Sequence, residues 1–185
     1  MEYVDVLDSS GRRLGTKKPK SEVHRDGDWH AAAHVWISDS KGRILIQRRS
    51  PTKENYPDLW DISVAGHISA GEGPVEAALR EAREELGVTL IADECCHIFD
   101  VSEQVVLNNG SYIDNEYHHV FLVKKNLDVK DLKFSDGEVV EVKFVALPEL
   151  QLRLRTDPSA FVPHQEEYRK LFKVLRTSAR KTSDP

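Results

Sequence analysis

The chain has 185 residues, of which 39% are hydrophobic and 31% charged, and its formal net charge is −5. This composition is that of an ordinary globular protein, and the length predicts one domain with small terminal additions. The acidic balance gives no broad attraction to nucleic acid or anionic lipid. It therefore excludes a nucleic-acid polymer or a membrane as the expected partner and favours a small phosphorylated molecule bound by local groups.

The first residues and the cysteines indicate the cellular location. Residues 1–5 lack the basic region and apolar core of a signal peptide, and no run of 18 apolar residues occurs. Cys95 and Cys96 are adjacent, which predicts inert free thiols in a reducing compartment. We expect a cytoplasmic protein, and the sequence leaves its oligomeric state open between a monomer and a homodimer.

The first third of the chain predicts two β-hairpins. Residues 3–7 and 12–16 flank a turn cluster, and residues 31–37 and 43–49 form a second pair with a stronger strand pattern. The polar residues 17–29 between the hairpins are predicted to be a loop, and residues 60–65 a further short strand.

A helix is predicted over residues 74–86, with Pro74 at its first position and Gly87 beyond its end. Its apolar stripe consists of Val75, Ala78, Leu79, Ala82 and Leu86. Strands at 97–106, 116–124 and 139–146, a short helix from Leu147 and an amphipathic helix from His164 follow. The order predicts an α/β (α+β) fold, a mixed β-sheet between helices with an N-terminal β-hairpin and a C-terminal helix.

Three acids of the predicted helix point to metal binding. Glu81, Glu84 and Glu85 span about 100° of the helix surface, at the edge of the apolar stripe. Like charges at this spacing repel, and clustered carboxylates suit Mg²⁺, or Mn²⁺ as its substitute. Arg80 and Arg83 flank the acids. The alternative interpretation is a charged helix face that is simply solvated.

The segment before the helix favours the metal interpretation. Residues 66–73 contain three glycines and lead into a helix N-terminus, where backbone N–H groups and the helix dipole favour an anion. A loop that binds anions next to a carboxylate metal site can hold a phosphate group beside a metal ion. This combination favours an enzyme that acts on phosphates.

The spacing of these residues resembles the Nudix box. Gly66 is followed after five residues by Glu72 and after seven more by Arg80-Glu81, and Glu84-Glu85 and Gly87 complete the pattern. The resemblance implies the Nudix αβα sandwich over residues 30–155, with an N-terminal extension at 1–29 and a C-terminal helix packed on the same domain at 156–185. It further implies Glu84 and Glu85 as metal ligands, Glu81 as ligand or base, Glu72 and Arg80 as organisers, and the backbone carbonyl of Ala65 in the metal shell.

The flanking residues resemble the branch that contains type I isopentenyl-diphosphate isomerase. The resemblance lies in His24, Trp29-His30, Gln47-Arg48-Arg49-Ser50, Trp60, Ala65-Gly66-His67 and Asp114-Asn115-Glu116. In that isomerase a catalytic cysteine precedes Gly-His, whereas this chain has Ala65 before Gly66-His67. The resemblance implies that His30, His67 and Glu116 help to bind a metal. Without the thiol, isomerisation is disfavoured.

Several side chains have both a functional and a structural interpretation. His67 either contacts a bound phosphate or orders its loop, and His30 is functional or merely part of a strand. Glu116 opens a predicted strand as a base or metal ligand. Of Arg48 and Arg49, which face opposite ways, one is expected to bind phosphate. Trp60 either stacks on a base or lies in the core.

The predicted function is Mg²⁺-dependent hydrolysis of a diphosphate linkage in a small molecule by activated water. Glu81, Glu116 and Arg80 are the predicted catalytic residues. Gly66, His67, Glu72, Arg48, Arg49 and His30 are the predicted substrate or phosphate contacts. Two alternatives stay open, an isomerase-like enzyme and a non-catalytic sensor that binds a nucleotide.

Overall fold

The computed structural model describes residues 2–134 and 137–181. In these residues the strands are β1 (Tyr3–Leu7), β2 (Arg13–Pro19), β3 (Trp29–Ser38), β4 (Arg43–Arg49), β5 (Trp60–Asp61), β6 (Val64–His67), β7 (Cys96–Leu107), β8 (Tyr112–Lys124) and β9 (Val139–Ala146). The α-helices are α1 (Lys20–Asp26), α2 (Pro74–Leu86), α3 (Leu147–Thr156) and α4 (Gln165–Lys181). None of the helices in these residues is long and apolar enough to span a membrane.

Strand β3 organises a mixed sheet. It pairs in parallel with β8 along its whole length, from Trp29 opposite Asn115 to Ser38 opposite Lys124. It also pairs antiparallel with β6, and β1 and β4 connect it to the remaining strands. Strand β7 pairs antiparallel with β8, and β9 with β4. This arrangement places β6 and β8 on either side of β3, where the site described below lies.

The sheet separates two apolar cores. Alternate residues of β3 face opposite sides, as the period of a strand requires. Ala33, Val35 and Ile37 pack with the apolar stripe of α2, whereas Trp36 packs with residues of α3 and α4. The prediction of a mixed sheet between helices, with an N-terminal hairpin and a C-terminal helix, is confirmed.

Helix α2 begins and ends as predicted. Pro74 is its first residue, and Gly87 follows it in the left-handed conformation at φ 67°. Ala78, Ala82 and Leu86 of the predicted stripe are buried. These limits fix which face of the helix is turned to the sheet, and hence where its acids lie.

The prediction of a loop over residues 17–29 is wrong. Strand β2 continues to Pro19, and residues 20–26 form α1, which ends at Gly27 with φ 71° and an N–H bond to the Val23 carbonyl. Only Val23 and His24 of this helix are buried. Two buried residues are too few to produce a recognisable helical periodicity in the sequence. Pro19 before the helix and Gly27 after it are local signals of its ends.

Two strand predictions also need correction. The predicted strand at 60–65 is split into β5 and β6, because the Ser63 hydroxyl donates to the Leu45 carbonyl at 2.6 Å and accepts from the Ile37 N–H at 2.9 Å. The side chain thus takes over backbone pairing at that point. Glu116 does not open its strand, since β8 already begins at Tyr112.

Helix α4 is anchored by one buried carboxylate. Glu167 is 1% exposed and accepts from the Trp36 indole N–H at 2.7 Å. Its other oxygen lies 2.8 Å from His34 Nδ1 and 3.5 Å from His118 Nδ1. A buried charge requires such partners, so this contact fixes the helix against β3 and β8.

We expect Glu167→Ala to lower the free energy of unfolding by roughly 3–5 kcal/mol, because it leaves buried histidines without their partner. The matched control is Glu166→Ala, since Glu166 is exposed on the same helix turn and pairs with Arg169. Urea unfolding of both variants checks this. Equal stabilities of the two variants would contradict the anchoring role.

Candidate active site

A cavity of about 510 Å³ opens between β3, β6, β7, β8 and α2. Two groups of potential metal ligands adjoin it. We call Glu81, Glu84 and Glu85 the carboxylate ridge, and His24, His30, His67, Asp114 and Glu116 the histidine cluster. Glu81, Glu84, His67, Asp114 and Glu116 line the cavity directly.

The carboxylate ridge is graded in burial. The Glu84 side chain is 52% exposed and that of Glu81 12%, whereas Glu85 as a residue is 3% exposed. Burial, followed by the charge of Glu81, raises the pKa of Glu85 well above its usual value. Burial also raises the pKa of Glu81, although the Arg80 guanidinium opposes the shift. Adjacent carboxylates that resist ionisation in this way are suited to a divalent cation.

Glu85 is held by neutral groups. Its Oε2 accepts from the Gln47 side-chain amide at 3.1 Å and from the Ala65 backbone N–H at 3.2 Å. These bonds orient the carboxylate without neutralising it. The site therefore fits a cation at Glu85. The contact of Ala65 with the ridge is made by its N–H, and the role of its carbonyl as a metal ligand stays a prediction.

Arg80 organises the acids around it. Its Nε and Nη2 donate to the two oxygens of Glu72 at 3.0 and 2.9 Å. Nη1 donates to Glu81 at 2.6 Å and to Glu84 at 3.1 Å, and Nη2 also reaches the His67 carbonyl at 2.9 Å. A guanidinium has five N–H donors, and these contacts use all five. Arg80 and Glu72 thus have the geometry of positioning residues, and Glu72 does not line the cavity.

Gly66 is required by the approach of Glu81. A Cβ atom added at Gly66 would lie 2.0 Å from Glu81 Cδ, far inside contact distance. Only a residue without a side chain lets β6 run this close to the carboxylate. The first glycine of the box is explained by this contact.

The interpretation of residues 66–73 as an open anion-binding loop is not supported. The Ser69 N–H donates to Glu72 at 2.9 Å, the Gly71 N–H to Asp5 at 3.0 Å and the Gly73 N–H to Glu76 at 2.7 Å. Carboxylates of the chain itself therefore occupy the N–H groups that a phosphate would need. Within this loop Gly66, His67 and Ser69 line the cavity.

The histidine cluster surrounds Glu116. His30 Nε2 and His67 Nε2 each lie 3.2 Å from Glu116 Oε1, and His118 Nε2 lies 3.2 Å from Oε2. Burial alone would raise the pKa of Glu116, but these imidazoles hold it well below its usual value. Parallel pairing of β3 with β8 sets His30 directly opposite Glu116.

Three further atoms complete the cluster. His24 Nδ1 lies 3.4 Å and His30 Nε2 3.6 Å from Asp114 Oδ1, and all three atoms are buried without a hydrogen-bond partner among the described residues. Burial, then the charges of His30 and His67, lowers the pKa of His24 to about 3, so its imidazole is neutral. Burial, then Glu116, raises the pKa of Asp114 to about 7. The neutral His24 imidazole and the Asp114 carboxylate, each with an unsatisfied buried atom, fit a divalent cation.

His67 joins the two groups of ligands. Its backbone carbonyl accepts from Arg80, which also donates to Glu81 and Glu84 of the ridge, and its imidazole contacts Glu116 and, at 3.3 Å, His24. Glu116 thus belongs with the histidines on one wall of the cavity, and the ridge forms another. Any ligand in the cavity would meet both.

The two arginines and Trp60 separate into different roles. Arg48 pairs with Asp58 and Glu141 on the surface, whereas Arg49 lines the cavity and donates to Asp61 at 3.0 Å. Their opposite orientation is as predicted. Trp60 is 8% exposed and belongs to the core on the α4 side.

Two members of the histidine cluster, Asp114 and His24, belong to the residues that resemble the isomerase branch, but the sequence predicted no role for them. Asp114 lies two residues before Glu116 on β8, so both face the same side, and this period could have indicated it. His24 was assigned to a loop, and no local pattern shows that α1 buries it. The packing of α1 against β8 brings it to the site.

We expect Gly66→Ala to lower Mn²⁺ affinity and any turnover by about 100-fold, because the new methyl group displaces the Glu81 carboxylate. The matched control is Gly73→Ala, whose Cβ would meet only the end of the Glu76 side chain, at 3.2 Å. Titration calorimetry with Mn²⁺ and thermal unfolding check the prediction. Unchanged affinity in a folded Gly66→Ala protein would contradict it.

Comparisons with known proteins agree with this geometry. The family model described as the NUDIX domain matches residues 28–165. Nudix hydrolase 3 of Arabidopsis thaliana is 42% identical over 180 residues, which are 95% of this chain but 23% of that protein's length. The isopentenyl-diphosphate Delta-isomerase of Shigella boydii is 30% identical over 162 residues, covering 88% of this chain and 86% of the isomerase.

The fold is similar to that of a solved structure. The crystal structure of DR0079 from Deinococcus radiodurans superposes with a TM-score of 0.68 at 20% identity, covering 91% of this chain and 98% of that one. The predicted resemblance to the Nudix superfamily and its isomerase-like branch is confirmed. The chain belongs to the Nudix family.

Proposed function

We propose that the protein hydrolyses a diphosphate linkage of a small molecule with Mg²⁺ or Mn²⁺ as cofactor. The proposal is carried by the environment of Glu85. This residue is 3% exposed and lies beside Glu81, and the hydrogen bonds that the Glu85 carboxylate accepts come from neutral groups. An ionised Glu85 carboxylate that is buried without a cation beside it is energetically costly. The ridge is therefore suited to bind a cation. The cavity beside it is large enough for a small phosphorylated molecule.

Each wall of the cavity has its own part in the proposal. Glu81, Glu84 and Glu85 would hold Mg²⁺ or Mn²⁺, with the Ala65 carbonyl as a further ligand. The histidine cluster, with its nitrogen ligands, suits Mn²⁺ or Zn²⁺ better than Mg²⁺. When bound, such cations neutralise phosphate charge and lower the pKa of the attacking water.

Glu81 is our candidate for taking the proton of that water. Its described hydrogen bond, from Arg80, engages only Oε1. Both oxygens of Glu116, in contrast, already contact imidazoles of His30, His67 and His118. Glu116 is therefore assigned to cation binding in the histidine cluster.

Cations on the cavity wall would bind the phosphates. Lys20, Arg49 and Lys53 line the same cavity as the ridge. Lys20 and Lys53 are each paired with an acid, Glu2 and Glu138, so a phosphate would compete with exchangeable surface partners. Arg80 has no N–H donor left and is assigned to positioning alone.

Isomerisation of a carbon–carbon double bond is the second candidate, because the chain is 30% identical to a protein named isopentenyl-diphosphate Delta-isomerase and contains the histidine cluster. Moving a double bond requires an acid and a base on the two sides of the carbon chain. Ala65, which lines the cavity next to Gly66, supplies neither. We therefore favour hydrolysis.

We expect cleavage of at least one diphosphate compound by the wild-type protein with Mg²⁺ or Mn²⁺. Glu84→Gln and Glu85→Gln should each lower kcat by about 100-fold or more, because each removes a charge that holds the cation. The matched control is Glu76→Gln on the exposed first turn of α2, which should retain activity. A panel of nucleoside phosphates, nucleotide sugars, thiamine diphosphate and isoprenyl diphosphates is assayed for phosphate release and by mass spectrometry.

Two results would overturn this proposal. Formation of dimethylallyl diphosphate without phosphate release would establish isomerisation. This product is detected by NMR, because it has the same mass as isopentenyl diphosphate. Tight binding of a panel member without turnover would establish a sensor of that ligand.

A further inference from the structure

Two histidines and one aspartate meet at the edge of the sheet, outside the cavity. His97 and Asp100 belong to β7, and His119 belongs to β8. Glu116 lines the cavity, and His119 follows it three positions later, so the two side chains project from opposite faces of β8. None of the three residues lines the cavity. We call His97, Asp100 and His119 the strand-edge triad.

A β-bulge in β7 brings His97 and Asp100 to the same face of the sheet. In a regular strand, residues three positions apart point to opposite faces. Between His97 and Phe99 the register shifts, because two positions on β7 correspond there to a single step on β8. His97 therefore lies opposite Phe121, and Asp100 lies opposite His119. Since Phe121 and His119 are two positions apart on β8, their partners on β7 share one face.

The ligand atoms of the strand-edge triad are close enough to share one ion. Asp100 Oδ1 lies 2.8 Å from His97 Nε2 and 2.9 Å from His119 Nδ1. One ligand atom from each residue lies within 4.8 Å of the other two. Tetrahedral Zn²⁺ with bonds of about 2.0–2.1 Å holds its ligand atoms roughly 3.3 Å apart. Small side-chain movements therefore convert the hydrogen-bonded triad into a coordinated one.

The orientation of the two imidazole rings agrees with a shared ion. An imidazole binds a metal ion in the plane of its ring, along the lone pair of a nitrogen, so the rings that share an ion cannot be stacked. The rings of His97 and His119 are inclined by 51°, with centroids 6.4 Å apart. The buried pair His34 and His118, in contrast, is stacked at 27° and 3.9 Å. Stacking prevents the lone pairs of that pair from meeting at one ion.

The strand-edge triad is accessible to ions from solution. Its side chains are 48% exposed for His97, 51% for Asp100 and 32% for His119. His97 is oriented by an edge-on contact with the buried ring of Phe121, with centroids 5.6 Å apart. The backbone carbonyl of Asp100 accepts from the Lys170 ammonium at 2.8 Å, so it is not a further ligand. The three side chains thus leave a fourth position to water or to an exogenous group.

The donor set indicates which ion fits. Two imidazoles with one carboxylate are typical ligands of Zn²⁺, whereas Mg²⁺ and Ca²⁺ prefer oxygen ligands. We propose that His97, Asp100 and His119 form a surface site for Zn²⁺ with one open coordination position. Strand β7 pairs with β8 alone among the described strands, so the ion links the edge strand to its neighbour. The site shares no residue with the cavity, and the proposal is independent of the proposed function.

Diffraction at the zinc absorption edge tests the proposal at the level of the individual site. Crystals are soaked in Zn²⁺ with excess Mg²⁺, which competes at sites made of oxygen ligands. We expect an anomalous peak about 2.0–2.2 Å from His97 Nε2, His119 Nδ1 and an Asp100 carboxylate oxygen. Absence of a peak at the triad would overturn the proposal, whether or not zinc binds at the ridge or the histidine cluster.

Calorimetric titration with Zn²⁺ in excess Mg²⁺ tests the same site in solution. His97→Gln and His119→Gln should each weaken the binding of about one zinc ion per chain by about 100-fold, because each removes a ligand. Circular dichroism and thermal unfolding without zinc show whether each variant is folded, and one folded variant suffices for the comparison. Zinc binding that is unchanged in a folded variant would overturn the proposal.

Two matched controls separate the triad from its neighbours. Asp93→Asn removes an exposed acid just before β7, and Cys96→Ser removes the exposed thiol next to His97. Both variants should bind zinc like the wild-type protein. Loss of zinc binding in Cys96→Ser, with full binding in His119→Gln, would assign the ion to the thiol and overturn the proposal.

Discussion

The site depends on an excess of negative charge around the guanidinium of Arg80. Arg80 donates to Glu72, Glu81 and Glu84, and Glu85 lies buried behind them with neutral hydrogen-bond partners. Arg80 contacts three carboxylates, so negative charge remains among them after every N–H donor of Arg80 is used. Partial burial makes this excess costlier than it would be on a solvated helix. A divalent cation would neutralise this excess charge. The close approach of Gly66 to Glu81 leaves the Glu81 carboxylate room to lie where it can bind the cation.

The fold adds a second set of ligands to the same cavity. Parallel pairing sets His30 of β3 opposite Glu116 of β8, antiparallel pairing brings His67 of β6 alongside, and α1 contributes His24. Under the proposed function, a ligand with adjacent phosphates would span both sets, because it can bridge two cation sites.

Much of this could be predicted from the sequence where the signal is local. The limits of α2 follow from Pro74 and Gly87, and the partial burial of its acids follows from the position of the apolar stripe. Contacts between residues that are far apart in the chain could not be predicted from local sequence patterns. In residues 66–73, Asp5, which is distant in sequence, accepts from the Gly71 N–H, and no local pattern indicates this contact. Likewise, nothing near His24 indicates that α1 packs beside β8.

Diffraction at the manganese absorption edge, on crystals grown with Mn²⁺, locates bound cations without reference to any reaction. We expect anomalous density between the carboxylates of Glu81, Glu84 and Glu85, and a second peak among His24, His30, His67 and Glu116. Density at the histidine cluster alone, with the carboxylate ridge ordered and devoid of any peak, would contradict the assignment of the ridge as the primary metal site.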